Sequence, residues 1–214
     1  MFRIACLLIG YAFGCVQTAY FAGLIVKRID IRKHGSGNAG MTNAFRVLGF
    51  KAGAAVFFID FAKAAAAYLI CSALFEGGGA FFGGAAGVIP GVYAGIGAVL
   101  GHCFPFYLKF KGGKGFASLL GVLLALDFRT ALILYAVTAA IIVFTKYVSL
   151  SALAVSFLAP LILWAFGYAA EAFLLMEALT VIVWAMHREN IKRLATGTEN
   201  KFRLKTGGGG DRKS

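Results

Sequence analysis

The sequence predicts an all-α integral membrane protein of seven transmembrane helices, some of them short, and three observations carry that reading. Apolar stretches such as Ile4 to Val26 and Ala52 to Phe75 run for about 23 residues, and a helix needs about 20 to cross roughly 30 Å of hydrocarbon. Over the 214 residues the mean hydropathy is +0.82, with 60% hydrophobic against 14% charged residues, a balance foreign to water-soluble domains. The charge that remains is basic, +12 formally, and it collects at the ends of the apolar stretches, where it orients a chain in a bilayer. That placement argues against nucleic acid as a partner.

The spans fall near residues 4–26, 52–75, 82–104, 116–126, 130–145, 148–167 and 171–187. The first is longer than the apolar region of a signal peptide, lacks a clear small-x-small cleavage site and runs straight into a basic loop, so it reads as a retained span. The fourth and fifth are short, and residues 116–145 also read as one tilted helix interrupted only by Asp127, Phe128 and Arg129. Charge decides between six spans and seven. With seven, the loops on one side hold 18 of the 21 Lys and Arg, from Lys27 and Arg28 through Lys146 to the tail beyond Arg188. Arg3 and Arg129 lie on the other side and Lys63 within a span, so the N-terminus is expected outside and the C-terminus in the cytoplasm. Six spans would leave the basic tail outside.

Residues 1–205 read as one membrane domain, and the Gly-rich, charged stretch 206–214 as a disordered tail. Gly77 to Gly84 reads as an exterior turn. Gly87, Gly91, Gly95, Gly97 and Gly101 supply small-xxx-small spacing for close helix packing. Pro90 and Pro160 are positioned to kink their helices. Cys6, Cys15, Cys71 and Cys103 are scattered as small hydrophobes without CxxC pairing, and no carboxylate set suggests a metal, so neither metal nor cofactor is expected. Asp60 and Lys63, three apart within a span, share a helix face and form a structural ion pair or take part in chemistry; Glu177 faces either a polar cavity or another helix. The sequence leaves the oligomeric state open, a monomer sufficing.

Three polar segments fall on one side of this topology. In the first, His34-Gly35-Ser36-Gly37-Asn38-Ala39-Gly40-Met41-Thr42-Asn43, glycines free the backbone to turn several N–H groups on one anion. Ser36, Asn38, Thr42 and Asn43 add side-chain donors, and Arg46 adds charge. A plain Gly/Ser/Asn turn would have the same composition. In the second, Gly101-His102-Cys103-Phe104-Pro105 leads to Lys111-Gly112-Gly113-Lys114-Gly115 at the start of a short apolar helix, where cations, flexible backbone and first-turn amides make an anion cradle. In the third, His187, Asn190 and Arg193 recur at helical spacing, either looking into one cavity or forming a solvated basic helix end. Their gathering on one side favours a shared site for phosphate or another oxyanion.

At these residues the sequence resembles the bacterial acyl-phosphate:glycerol-3-phosphate acyltransferase family, PlsY. Ser36-Gly37-Asn38-Ala39-Gly40-Met41-Thr42-Asn43 is similar to the family's SGNxGxTN motif, and Gly101-His102 through Lys111-Gly112-Gly113-Lys114-Gly115 to its GHxxP and KGGKG segment. His187-Arg188-Glu189-Asn190-Ile191-Lys192-Arg193-Leu194, with Gly197 and Glu199, is similar to its third motif. The likeness covers nearly the whole chain and three ordered motifs. It implies a seven-helix enzyme of the bacterial inner membrane that opens phospholipid synthesis. Such an enzyme passes a fatty acyl group from acyl phosphate to the 1-hydroxyl of sn-glycerol 3-phosphate, leaving lysophosphatidic acid and inorganic phosphate.

The expected catalytic residues are His187, Lys114 and Ser36. Around them, Gly37, Asn38, Gly40, Thr42, Asn43, Arg46, His102, Lys111, Gly112, Gly113, Gly115, Asn190, Arg193 and Glu199 are expected to bind substrate phosphate, with amides from 36–40 and 112–115 completing the cradle. An HxxxxD dyad is absent, because Ala39, Tyr107 and Lys192 stand five residues beyond the three histidines. Candidates for the base are therefore His187, His102 or the phosphate of the substrate itself. The rival reading is a transporter or channel for an anionic phosphorylated metabolite, which would need polar residues across the whole membrane, whereas the outer halves of these spans are apolar.

Overall fold

A computed structural model describes residues 1–76 and 87–202, and among these it is all-helical. The helices are α1 (Phe2–Gly14), α2 (Thr18–Lys27), α3 (Met41–Leu48), α4 (Phe50–Glu76), α5 (Ile89–Cys103), α6 (Phe116–Leu126), α7 (Phe128–Thr145), α8 (Val148–Ala165), α9 (Ala170–Met186) and α10 (Arg188–Ala195). The turn expected over Gly77–Gly84, the start of the third span and the tail 206–214 lie outside the described residues. Five segments among those described are long and apolar enough to cross a membrane: Phe2–Lys27, Phe50–Phe75, Ile89–Leu108, Phe128–Thr145 and Val148–Ala165. Ala170–Met186 and Arg188–Ala195, bent by 64° between them, make a sixth when taken together as one broken span, while Phe116–Leu126 is apolar but only 11 residues long.

The first span is broken where the sequence places Gln17 in an apolar run. The carbonyls that the break frees must find donors, because lipid offers none. Gly14 O accepts from Gln17 Nε2 at 3.3 Å, Cys15 O from the Tyr107 hydroxyl at 2.7 Å, and Val16 O from Lys63 Nζ at 2.6 Å. A polar residue that hydropathy passes over thus marks a joint held by α4 and the loop after α5.

Helices α1 and α5 meet through small residues on both sides. A Cβ at Gly10 would lie 1.9 Å from Ala94 O, and one at Gly97 would lie 2.2 Å from Leu7 O. The backbones touch, as small-xxx-small spacing allows.

Helices α6 and α7 are separate, so the single-helix reading of 116–145 does not hold. Asp127 adopts an extended conformation (φ −155°, ψ 115°) and caps α7, accepting from Thr130 N at 3.2 Å and from its hydroxyl at 2.7 Å. The short α6 begins deep in the bundle, since Ser118 Oγ donates to Asp60 O at 3.2 Å and Gly121 packs directly on Phe61. Asp60 is ten residues into α4, roughly 15 Å along its axis. Before α6 starts, Gly112 N donates to Cys103 O (3.1 Å) and Gly113 N to His102 O (3.0 Å), so the chain descends alongside the end of α5.

The two ends of the bundle differ in chemistry. At one end Arg3 forms a two-pronged pair with Glu171 (2.8 and 2.9 Å), and the Arg129 guanidinium lies 4.9 Å from the Phe166 ring centre. At the other, Arg32 reaches Leu108 O at 3.1 Å and Phe202 N donates to Lys146 O at 2.7 Å, bringing together the basic loops and all three polar segments.

Candidate active site

The glycine-rich loop before α3 is shaped by one buried amide. Asn43 Oδ1 accepts from Ser36 N at 2.8 Å, while its Nδ2 donates to His34 O at 3.0 Å and to Ile31 O at 3.2 Å. Gly35 and Gly37 take φ of +61° and +74°, values open to glycine, and a Cβ at Gly35 would strike Asn43 Oδ1 at 2.3 Å. The loop delivers the chain to Gly40, the N-cap of α3, which has no side-chain cap of its own. First-turn amides there are left for another acceptor.

Across from it, α6 also starts without a side-chain cap, at Gly115 with φ +81°. The third wall is the joint between α9 and α10. Its 64° bend falls at His187, turning Asn190 and Arg193 toward the same space. These elements enclose a cavity of about 460 Å³.

Of the residues expected from sequence, Ser36, Gly37, Asn38, Gly40, Thr42, Arg46, His102, Lys114, Gly115, His187, Asn190, Arg193 and Glu199 line this cavity. Asn43, Lys111, Gly112 and Gly113 do not line it. Lys111 is exposed, and Asn43 is buried with its amide engaged in the loop. The N–H groups of Gly112 and Gly113 are taken by α5 carbonyls, and those of Ser36 and Gly37 by Asn43 Oδ1 and His34 O. The uncapped first turns of α3 and α6 border the cavity with amide donors of their own.

Lys114 reaches inward, and its ammonium donates to Asn190 Oδ1. Burial lowers the Lys114 pKa, with the Arg193 charge acting the same way and Glu199 opposing. Glu199 is the hub of the third segment: it accepts from Asn190 Nδ2 at 2.6 Å, Arg193 Nε at 2.7 Å and Ser149 Oγ at 2.8 Å. Burial alone would raise its pKa, but those hydrogen bonds outweigh it and hold the carboxylate below its usual range. A chain of fixed polar groups thus runs from Arg193 through Glu199 and Asn190 to Lys114. It orients the Asn190 amide, since its Nδ2 is turned to a carboxylate and its oxygen is left for the ammonium.

His187 sits just beyond the end of α9. Its Nδ1 lies 2.8 Å from Val183 O, and a carbonyl only accepts, so Nδ1 carries the proton and Nε2 is left with a lone pair. A ring nitrogen able to accept a proton therefore lies among cationic and amide donors.

His102 is buried on the cavity floor with Asp60. Its Nδ1 is 3.1 Å from Lys63 Nζ, its carbonyl accepts from Gln17 Nε2 at 3.0 Å, and Lys63 pairs with Asp60 Oδ1 at 2.7 Å. The ion pair expected between Asp60 and Lys63 is thus formed, and it extends to the histidine.

Sequence reading passed over the apolar part of the lining: Met41, Phe116, Ala117, Val148, Met186 and Phe202. In a chain that is mostly apolar, no pattern singles these out. Phe202 also packs edge-on against Phe45 of α3, with ring centres 5.6 Å apart, so the chain after α10 crosses back over the cavity. Ser149 carried a weak signal, as a hydroxyl at the start of α8 beside the basic Lys146.

The glycerol-3-phosphate acyltransferase family model matches residues 4–197. The chain belongs to this family. Among its relatives, the glycerol-3-phosphate acyltransferase of Thermoanaerobacter pseudethanolicus is 40% identical over 206 residues, covering 96% of this chain and 98% of the relative. That of Rhodopseudomonas palustris strain HaA2 is 43% identical over 199 residues, covering 93% and 95%. The structure is similar to the crystal structure of PlsY (YgiH), an integral membrane glycerol 3-phosphate acyltransferase, in its glycerol 3-phosphate form. The TM-score is 0.80 at 34% identity, over 94% of this chain and 96% of that one. A second form of PlsY, named for lysophosphatidic acid, matches with a TM-score of 0.77. This acyltransferase family member is therefore a multi-pass membrane protein, as its apolar helices require.

Proposed function

We propose that the chain transfers a fatty acyl group from acyl phosphate to the 1-hydroxyl of sn-glycerol 3-phosphate, giving lysophosphatidic acid and inorganic phosphate. The observation that carries this reading is the cavity itself. Two uncapped helix starts, Lys114 and the guanidinium groups of Arg46 and Arg193 share one space with an apolar wall of Met41, Phe116, Val148 and Phe202. Two phosphates and one lipid tail match that chemistry. The family membership supplies glycerol 3-phosphate, and the two forms of the structural relative are named for that substrate and for lysophosphatidic acid.

In this reading the hydroxyl oxygen of glycerol 3-phosphate attacks the carbonyl carbon of the mixed anhydride. The carbon–oxygen bond to phosphate breaks, and phosphate departs with the bonding electrons. Lys114, Arg46, Ser36 and the amides at the starts of α3 and α6 hold phosphate charge, and the acceptor lone pair of His187 Nε2 takes the hydroxyl proton unless the substrate phosphate does so. Positioning and charge stabilisation account for most of the acceleration, because the donor already carries a good leaving group.

The same reading makes residues 1–205 a single domain that crosses the bacterial inner membrane seven times, with the N-terminus outside and the cavity on the cytoplasmic face. The short α6 completes its crossing because it starts at depth. The basic loops at the cavity end support this orientation. Incubating purified protein with acyl phosphate and glycerol 3-phosphate, with acyl thioesters as control donors, is expected to yield lysophosphatidic acid from acyl phosphate alone. Transfer from thioesters instead would overturn the donor assignment, and no transfer from any donor would return the case to a transporter.

A further inference from the structure

We propose that His102 is a hydrogen-bond donor to a substrate phosphate, and that Lys63 and Asp60 are positioning residues that fix its tautomer; this rests on the phosphate-binding reading of the cavity.

The Lys63 ammonium has three protons, and three acceptors surround it: Val16 O at 2.6 Å, Asp60 Oδ1 at 2.7 Å and His102 Nδ1 at 3.1 Å. An ammonium has no lone pair to offer, so a ring nitrogen this close accepts. Nδ1 therefore carries the lone pair, and the proton of the neutral ring resides on Nε2. Asp60 stands 3.5 Å from the same Nδ1, a longer and weaker alternative. Thr18 Oγ1 also donates to Asp60 Oδ1, at 2.9 Å, so the oxygen that faces the imidazole is already engaged twice.

The other side of the ring faces the chain that enters the cavity. A Cβ built on Gly113 would fall 2.0 Å from His102 Nε2, so Nε2 lies against that backbone, one residue before Lys114. Nε2 forms no hydrogen bond with the described residues, and His102 lines the cavity. Its main chain is also fixed, because Gln17 Nε2 and Gly113 N both donate to its carbonyl. The side chain is therefore aimed and protonated as a donor, which removes it from the candidates for general base. A group of this kind suits the oxyanion of a phosphate, whether from glycerol 3-phosphate or from acyl phosphate.

Asparagine and glutamine separate the two ring nitrogens. His102→Asn keeps an oxygen near the Nδ1 position for Lys63 but has nothing at Nε2, whereas His102→Gln can place an amide N–H near Nε2. The full chain in lipid nanodiscs, ¹⁵N-labelled at histidine, is expected to show His102 as the Nε2–H tautomer. The double variant Asp60→Asn/Lys63→Met, which strands no charge, is expected to show both tautomers. His102→Asn is expected to lose roughly 10- to 100-fold in kcat/KM, with His102→Gln recovering much of the loss. Calorimetric binding of glycerol 3-phosphate, set against KM for acyl phosphate, tells which phosphate is held. An Nδ1–H tautomer in the unaltered protein would overturn the proposal, as would His102→Asn with unaltered binding and kinetics. If the unaltered protein transfers no acyl group while His102→Asn still weakens glycerol 3-phosphate binding, the donor role stands and the acyl-transfer reading falls.

Discussion

His187 Nδ1 lies 2.8 Å from the carbonyl oxygen of Val183, one turn back along α9, and that bond leaves Nε2 as the ring's acceptor. The ring is therefore expected to be the Nδ1–H tautomer, which ¹⁵N-labelled histidine spectra would show; an Nε2–H tautomer would remove the basis for a proton acceptor at Nε2.

The kinetic counterpart separates a base from a binding group. His187→Ala is expected to abolish turnover while leaving glycerol 3-phosphate affinity nearly intact, because a base acts on the proton in the transition state. Should affinity collapse with the rate, His187 orients the substrate and the proton goes to phosphate.

Lys114 is a half-buried cation of the site, its ammonium bonded to Asn190. Replacing it by Ala removes a charge aimed at phosphate, and kcat/KM is expected to fall by roughly 100-fold or more. Unchanged steady-state kinetics in a folded sample would show that the cradle is misplaced.

Glu199 was expected among the phosphate-binding groups, yet a carboxylate repels phosphate, and the structure gives it three donors of its own. Glu199→Ala is expected to cost about 1–3 kcal/mol of stability and to raise KM through the loss of Asn190 orientation. Glu199→Gln, which can still accept, is expected to cost less. The depressed carboxylate pKa gives stability that is present above the unfolded value near 4.3 and is lost as pH falls through the lower folded value. Thermal melts of both variants against pH check the ranking; a Gln variant no better than Ala would deny the acceptor role.

What the sequence disclosed and what it hid follow from the range of the forces involved. Helix positions and the gathering of the three polar segments were legible because apolar length and charge are summed over many residues. The break at Gln17 turns on one polar side chain that a hydropathy window averages away, whereas the separation of α6 from α7 at Asp127 was legible in the charge that favours seven spans over six. Within the site, Ser36, Lys114 and His187 were legible as residue types. Which amides remain available was not, since that depends on pairings such as Gly113 with His102, eleven residues apart. The spent amide of Asn43 was hidden for the same reason.

That distinction gives the glycines of the second segment a different role from the one their composition suggests. Flexible glycines in an anion cradle would tolerate alanine wherever φ is negative, and Gly113 has no left-handed φ. The structure instead makes Gly113 a spacer: an added Cβ would stand 2.0 Å from His102 Nε2 and 2.9 Å from Ala39 O. One methyl group would push the second segment away from both α5 and the first loop, shifting Lys114 with it. Displacements of about 1 Å at a reacting centre cost on the order of 100-fold in rate. Gly113→Ala is therefore expected to reduce kcat/KM by about that factor in a protein that still inserts and folds, with perturbed His102 NMR signals as the local readout. Activity close to that of the unaltered chain, with an unmoved His102 spectrum, would mean that the backbone at 113 is not packed as described.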